Sequence, residues 1–135
     1  MPIFGAIGIA GTGLTVYRKW LDAVGDNISN INNVSATSGE AFQARYVIAQ
    51  ATDYGSGNGG AQVGGIMLSG KPEGRMTYEP DHPLADEDGY VRYPDINLGD
   101  QMGQLMLAQR AYQANLAVVD RAKDAYQAAI QLGRV

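Results

Sequence analysis

A glycine-rich segment near the N-terminus, Gly8–Gly13 (GIAGTG), contains the residue type that cradles the phosphates of a nucleotide. A nucleotide loop of this kind follows a β-strand and precedes a second strand that carries an acidic residue. Only seven residues come before Gly8, and an apolar pattern of helical spacing runs through the glycines. We therefore interpret Gly5, Gly8 and Gly11 as small helix residues that allow another helix to approach closely.

An acidic segment, Asp86–Gly89 (DEDG), contains the carboxylates and the glycine of a calcium-binding loop. When Gly89 is aligned with the glycine of such a loop, Leu84 takes the first ligand position and Asp95 the last, where glutamate is required. The segment is therefore predicted to be a solvated acidic turn. Calcium binding is the alternative, and it requires saturable binding that is lost in Asp88→Ala.

The only histidine, His82, lies between Asp81 and Pro83 in a predicted loop, and the chain has no cysteine. A catalytic triad requires a nucleophile, a base and an orienting acid in contact, and the sequence does not group such residues. We expect His82 to be a loop residue whose ring bonds a neighbouring carbonyl. The sequence predicts no catalytic residue, no metal site and no cofactor, and hence a protein that is not an enzyme.

The N-terminal part of the chain carries an apolar seam, in which the spacing alternates between three and four residues. This spacing places the whole seam on one stripe of a helix. It predicts a helix from about Gly5 to Asn33, roughly 43 Å long. Four Asn residues near the end of this segment disfavour helix and favour its termination. The seam residues are Ile7, Ala10, Leu14, Tyr17, Leu21, Val24, Ile28 and Ile31, and the Asn residues are Asn27, Asn30, Asn32 and Asn33.

The C-terminal part repeats this pattern over a segment that is rich in Ala and Gln and contains no proline. It predicts a second helix of about 52 Å, with Gly133 as its stop. Two positions of the seam are polar, Gln109 and Lys123, and Ala108 and Ala122 lie beside them. The seam residues are Leu98, Met102, Leu105, Tyr112, Leu116, Val119, Tyr126 and Ile130.

The middle of the chain differs from both ends, because it contains all but one of the five prolines and an excess of acidic residues. Two strand-like runs, Arg45–Ala51 and Gln62–Leu68, flank a flexible glycine-rich connector, Gly55–Gly60. Gly89–Tyr93 is a third short run. The chain is therefore predicted to have three parts: an N-terminal helix in residues 1–33, a β-rich acidic insert in 34–97 and a C-terminal helix in 98–135.

Both apolar seams require cover, because a lone helix with such a face is not stable in water. The seams can pair with each other, as an antiparallel coiled-coil-like pair, or with helices of neighbouring chains. Helices this long leave apolar surface that a single pair does not cover, which favours packing between chains. The predicted fold class is mainly α with a small β-rich insert, in which the two long terminal helices pair and assemble into a tube.

Composition restricts the partners further. The 135-residue chain has a net charge of −4 and no cluster of Lys and Arg, which argues against nucleic-acid binding. The first 17 residues carry no charged side chain, but the first basic residue is Arg18, and glycines interrupt the apolar stretch. We therefore expect neither a cleaved signal peptide nor direct membrane insertion.

Three segments resemble flagellar axial proteins. Leu21–Asn33 (LDAVGDNISNINN) resembles the Asn-rich N-terminal motif of flagellar rod, hook and hook–filament junction proteins, and Arg110–Asn115 (RAYQAN) resembles their C-terminal helix signature. Tyr78–Asn97 is similar to the signature of the proximal rod protein C family of the flagellar basal body. The residues that carry these motifs are Asn27, Asn30, Asn32, Asp86, Asp88, Gly89, Tyr90, Arg110, Ala111, Tyr112 and Asn115.

The resemblance implies a structural subunit of the basal-body rod, the drive shaft of the flagellum. Proteins of this kind are exported through the flagellar type III apparatus without a cleaved signal peptide. They polymerise in the periplasm with copies of themselves and with other proximal and distal rod proteins. Their terminal helices form the wall of the export channel and transmit torque, so the seam residues are the predicted assembly interface. A free-standing helical hairpin that binds a partner helix is the alternative function.

Overall fold

Two long helices flank a small β-region in this protein, as the sequence predicts. The structure is a computed structural model that describes residues 3–55 and 59–133. β1 pairs with β2, and β3 pairs with β4, so that the strands form two separate two-stranded sheets. In chain order the elements are α1 (Ile3–Ser29), β1 (Ala44–Asp53), β2 (Gly59–Ser69), β3 (Arg75–Tyr78), β4 (Tyr90–Tyr93) and α2 (Leu98–Leu132).

The described residues form two compact units. The first unit takes its residues from Met1–Leu21, Val47–Gly65 and Met106–Val135, and the second from Asp22–Tyr46 and Ile66–Leu105. None of the helices in the described part of the chain is long and apolar enough to cross a membrane.

The first helix ends at Ser29, so the predicted end at Asn33 is wrong. The backbone N–H of Asn30 donates to the Asp26 carbonyl at 3.1 Å, and the Asn30 side-chain amide donates to the same oxygen at 2.8 Å. Beyond this point the chain continues in tight turns. The backbone N–H of Ile31 donates to the Ile28 carbonyl, and that of Asn33 donates to the Asn30 carbonyl. The Asn30 side-chain amide thus shares the Asp26 carbonyl with the last helical N–H. Such bonds from an Asn side chain to the local backbone favour a turn over further helix, and the helix stops four residues before the predicted end.

The second helix has the predicted bounds, beginning at Leu98 and ending one residue before Gly133. Asn97 caps its N-terminus, because its side-chain oxygen accepts from the backbone N–H of Asp100 at 3.1 Å. The Asp100 carboxylate lies in the first turn, where it interacts favourably with the positive end of the helix dipole.

The β-region contains one strand more than the sequence predicts. β3 pairs antiparallel with β4, with Arg75 opposite Tyr93 and Tyr78 opposite Tyr90. β3 has only four residues, too few for a visible alternation. β4 starts one residue after the predicted Gly89 because that glycine has a φ of +82°, which is incompatible with a strand. In the predicted Gly-rich connector, Gly59 and Gly60 belong to β2, and residues 56–58 lie outside the described residues.

The core consists mainly of small apolar side chains. Small residues allow elements to approach closely, but they bury little area each, which limits how much they stabilise a single copy of the chain. The buried apolar residues are Ala10, Val16, Ala23, Val24, Ala41, Ala44, Val91 and Ala108.

Candidate assembly surface and buried polar network

The seam of α1 is mostly covered in the single chain. Ala10 and Val24 are buried, and the other helical seam residues are half-buried. Two further buried residues, Val16 and Ala23, lie beside the predicted stripe rather than on it. The half-buried seam residues are Ile7, Leu14, Tyr17, Leu21 and Ile28, and Ile31 is half-buried in the turn that follows the helix.

The seam of α2 is largely uncovered in the single chain. Leu98 is 51% exposed and Leu116 41%, and Met102, Tyr126 and Ile130 are exposed as well. The remaining seam residues, Leu105, Tyr112 and Val119, are half-buried. The predicted assembly interface is therefore accessible on this helix, and its role in assembly remains a prediction.

The buried line of α2 consists of small and amide residues spaced by seven. Gln101 and Ala108 are buried, and Asn115 and Ala122 are half-buried. The sequence analysis ranked positions by hydrophobicity. It therefore placed the seam on the large apolar residues that lie beside this line on the helix. The seven-residue spacing of these small and amide residues is the signal that could have found it.

In the first unit, α1 and α2 meet at a glycine. The side-chain amide of Asn115 donates to the Ala10 carbonyl at 2.7 Å. A Cβ built on Gly13 would lie 2.6 Å from the Asn115 Nδ2, so a larger residue at position 13 would displace the Asn115 amide. A Cβ on Gly8 or Gly11 would meet no atom within 4 Å, so these two glycines are not close-contact sites within the chain. Phe4 and Tyr126 also make an edge-on ring contact, with centroids 5.0 Å apart.

A buried polar network organises the second unit around Asn27. Asn27 is 0% exposed, and Gln101, with which it forms a hydrogen bond, is 1% exposed. The Asn27 amide donates to the Arg45 carbonyl at 3.0 Å and to the Gln101 Oε1 at 2.9 Å, and its own oxygen accepts from the Arg45 N–H at 2.8 Å. Gln101 donates in turn to the Tyr46 hydroxyl at 3.1 Å. One amide side chain thus joins α1 to the start of β1 and to α2.

This network gives Asn27 a structural role. Buried polar groups are costly unless they are paired, and Asn27 pairs both its amide group and its oxygen. Sequence reasoning selected Asn27 through a family motif and as one of the Asn residues near the end of the first helix. It missed Gln101, because nothing local to either residue shows that they meet. Of the other motif residues on the helices and the following turn, Asn30 bonds the Asp26 carbonyl, Asn32 and Arg110 are exposed, and Ala111 is half-buried.

The acidic segment is a hydrogen-bonded turn. The Asp86 carboxylate accepts from the backbone N–H of Tyr90 at 2.8 Å and of Asp88 at 3.1 Å. These donors, above all the Tyr90 N–H, hold the pKa of Asp86 below its ordinary value of 3.8. A Cβ on Gly89 would lie 2.8 Å from the Tyr78 ring. Within residues 3–55 and 59–133, no three His, Asp or Glu side chains are grouped so that they could hold a metal ion.

The loop histidine is bound by a different partner from the one predicted. The His82 Nδ1 accepts from the backbone N–H of Leu84 at 3.1 Å, so the predicted bond to a carbonyl is wrong. Pro83 follows His82 and has no N–H, so the first backbone donor after the ring is that of Leu84. The His82 ring therefore stabilises the loop that contains it.

Known proteins are similar in sequence to this chain over nearly its whole length. The model of the flagellar basal body rod FlgEFG protein C-terminal family matches residues 87–132, which include all of α2. The flagellar basal-body rod protein FlgC of Salmonella typhimurium is 33% identical over 99% of this chain and 100% of its own length. The chain belongs to the FlgC family of flagellar basal-body rod proteins.

More distant members of the FlgC family match over similar lengths. The FlgC of an Escherichia coli O6:H1 strain is 32% identical over 99% of this chain and 100% of its own length. That of Borreliella burgdorferi is 28% identical over 98% of each chain. The resemblance read from the sequence motifs is thus confirmed at the level of the family. Its members are named as rod proteins, which are structural proteins and not enzymes.

Proposed function

We propose that this chain polymerises through α1 and α2 into the flagellar rod, where it transmits torque and forms part of the wall of the export channel. Membership of the FlgC family supports the flagellar rod as the location of this chain. The helices would pair as an antiparallel coiled coil within a subunit, which the contacts of Phe4 with Tyr126 and of Ala10 with Asn115 support. The uncovered side chains of α2 would then pack against neighbouring subunits.

The observation that carries this proposal is the exposure of the α2 seam. A stripe of large apolar side chains on a solvent-exposed helix marks an interaction surface. Burial of one such side chain is worth about 1.5–3 kcal/mol, so several of them per subunit can drive assembly. The exposed members of the stripe are Leu98, Met102, Leu116, Tyr126 and Ile130.

The three-part division assigns a different role to each region. Residues 1–33 and 98–135 would form the assembling helices, and residues 34–97 the outer insert, whose acidic side chains Glu87 and Asp88 are exposed. The chain would be exported through the flagellar type III apparatus without a cleaved signal peptide and would act in the periplasmic part of the basal body. Its partners would be copies of itself and other proximal and distal rod proteins.

Complementation of a deletion strain tests the proposal. The strain is scored for swimming and for complete basal bodies by electron microscopy. Wild type should restore both, whereas Leu116→Asp should restore neither, because it places an unpaired charge in the packed seam. Leu84→Asp is the matched control, since Leu84 is 44% exposed against 41% for Leu116 but lies in the insert. Motile deletion cells, or rescue by Leu116→Asp but not by Leu84→Asp, would contradict the proposal.

A further inference from the structure

One face of the β3–β4 sheet, which lies within the second unit, carries large exposed side chains. Side chains alternate between the two faces of a strand, so Val91, which is 0% exposed, marks the buried face. The exposed face carries Met76 and the directly opposed pair Tyr78 and Tyr90. These three side chains are 48%, 62% and 40% exposed, respectively. We call them the insert patch.

The two tyrosine rings of the insert patch are held by their neighbours. They contact each other edge to face, with centroids 5.3 Å apart. The Tyr78 ring lies so close to Gly89 that a Cβ on this glycine would be 2.8 Å from the Tyr78 Cε2. The Tyr90 N–H donates to the Asp86 carboxylate at 2.8 Å, and the Asp86 N–H donates to the Tyr90 carbonyl at 3.0 Å. The patch is therefore ordered before a partner arrives, which lowers the entropic cost of binding.

The loop that joins the two tyrosines is strongly acidic. Residues 78–90 (YEPDHPLADEDGY) contain five carboxylates and neither Lys nor Arg. Glu87 and Asp88 are exposed. The one ion pair in the described part of the chain lies elsewhere, between Arg45 and Asp26. Within that part of the chain, the carboxylates of the loop are therefore not paired with a basic side chain.

Exposed aromatic rings that are bordered by carboxylates attract cations. A guanidinium or ammonium group lies favourably over a ring face, while neighbouring carboxylates accept its hydrogen bonds. Among the described residues, the one cation over a ring is Arg45, 5.5 Å from the centroid of Phe42. Arg92 shares the exposed face of the sheet, but it is half-buried and donates to the Gly39 carbonyl at 2.6 Å. The rings of the insert patch are therefore open to a cation from another molecule.

We infer that the insert patch binds a basic segment of a second protein. Arg or Lys side chains of that segment lie over the tyrosine rings and against the carboxylates of residues 78–90. Charge complementarity selects this occupant, because a surface with five carboxylates and no base repels an acidic one. The inference goes beyond the proposed function, since it concerns the insert and not the assembling helices.

A second copy of this chain matches the insert patch less well. Most of its exposed basic side chains belong to α1 and α2, which the proposed function places in the wall of the channel. These residues are Arg18, Lys19, Arg110, Arg121 and Lys123.

Site-specific photocross-linking tests the contact in cells that assemble flagella. The photoreactive phenylalanine analogue p-benzoylphenylalanine replaces Tyr78, so that an aromatic ring remains in the patch. Irradiation should join the chain to one other protein, through a peptide that mass spectrometry identifies and that contains several Lys or Arg residues. Tyr54 is the matched control position, because it is 77% exposed but lies directly after β1. The same analogue at position 54 should not capture that peptide.

Neutral variants of two carboxylates test the role of charge. Glu87→Gln combined with Asp88→Asn keeps the shape of both side chains, and the turn is held through the Asp86 carboxylate, which remains. The yield of the cross-link from position 78 should fall by about 3- to 10-fold. Glu40→Gln combined with Glu73→Gln removes two exposed carboxylates of the insert outside the loop and should leave the yield unchanged.

Several outcomes would overturn the inference. They are the absence of a cross-link from position 78, a cross-link to a second copy, to a glycan or to a peptide without basic residues, and an equal yield in the two double variants. Failure of the proposed function looks different, since basal bodies would then be complete without this chain.

Discussion

Removal of the Asn27 side chain should destabilise the second unit strongly. Asn27→Ala deletes three hydrogen bonds and leaves the Arg45 N–H and the Gln101 Oε1 without their partner in a buried site. At about 1 kcal/mol for each bond, the loss is about 3 kcal/mol, and the better helix propensity of alanine returns only about 0.5 kcal/mol of it. A domain is stable by about 5–15 kcal/mol in total, so this is a large fraction.

Urea unfolding of the purified chain, followed by circular dichroism, measures this loss. With an m-value of about 2 kcal/mol/M, the midpoint of Asn27→Ala should fall by about 1.3 M. Hydrogen exchange of the Arg45 amide should accelerate in the same variant, because its acceptor is the Asn27 oxygen. Asn32→Ala is the matched control: it removes the same side chain from an exposed position and should change stability by less than about 0.5 kcal/mol. An unchanged midpoint with a protected Arg45 amide would refute the role of the network.

Two further predictions concern a pair of helix glycines and the acidic turn. Gly8→Ala should stabilise α1 by about 0.5–1 kcal/mol, since its Cβ meets open space. Gly13→Ala should give no gain in stability, because its Cβ displaces Asn115. Equal effects of the two substitutions in urea unfolding would contradict the close approach at Gly13. The pKa of Asp86 is lowered in the folded state, chiefly by the Tyr90 N–H. The ionised carboxylate therefore stabilises the fold at pH values above the pKa that Asp86 has in the unfolded chain. This stabilisation is lost as pH falls through the lower pKa of the folded state. The difference in unfolding midpoint between wild type and Asp86→Ala should therefore shrink as pH falls from about 5 toward 2, and a constant difference would contradict that assignment.

The long helices could be predicted from sequence because an apolar period of three and four residues repeats over many turns. The bounds of α2 followed from Gly133 and from the composition of the segment. The end of α1 could not be placed as well, because it depends on which carbonyl the side chain of Asn30 bonds. β3 was missed because four residues are too few to show a strand pattern, and only its pairing with β4 identifies it.

The inward face of α2 was not identified from the sequence. Large apolar residues define the seam of an isolated helix, but closely packed helices place small residues at the point of contact. Ala108 and Asn115 therefore face inward, while Leu116 remains exposed. The link between Asn27 and Gln101 was equally hidden, since two amides 74 residues apart give no local signal.

The wide separation of these two amides has a consequence for the order in which the chain completes its fold. A polypeptide that emerges N-terminus first, from a ribosome or from a narrow conduit, presents Asn27 well before Gln101. Arg45 arrives in between and can engage the Asn27 oxygen and one amide hydrogen at once, since only 18 residues separate them. The hydrogen bond from Asn27 to Gln101 cannot form until about three quarters of the chain has emerged. The junction of the two helices at this network therefore closes only after most of the chain is present.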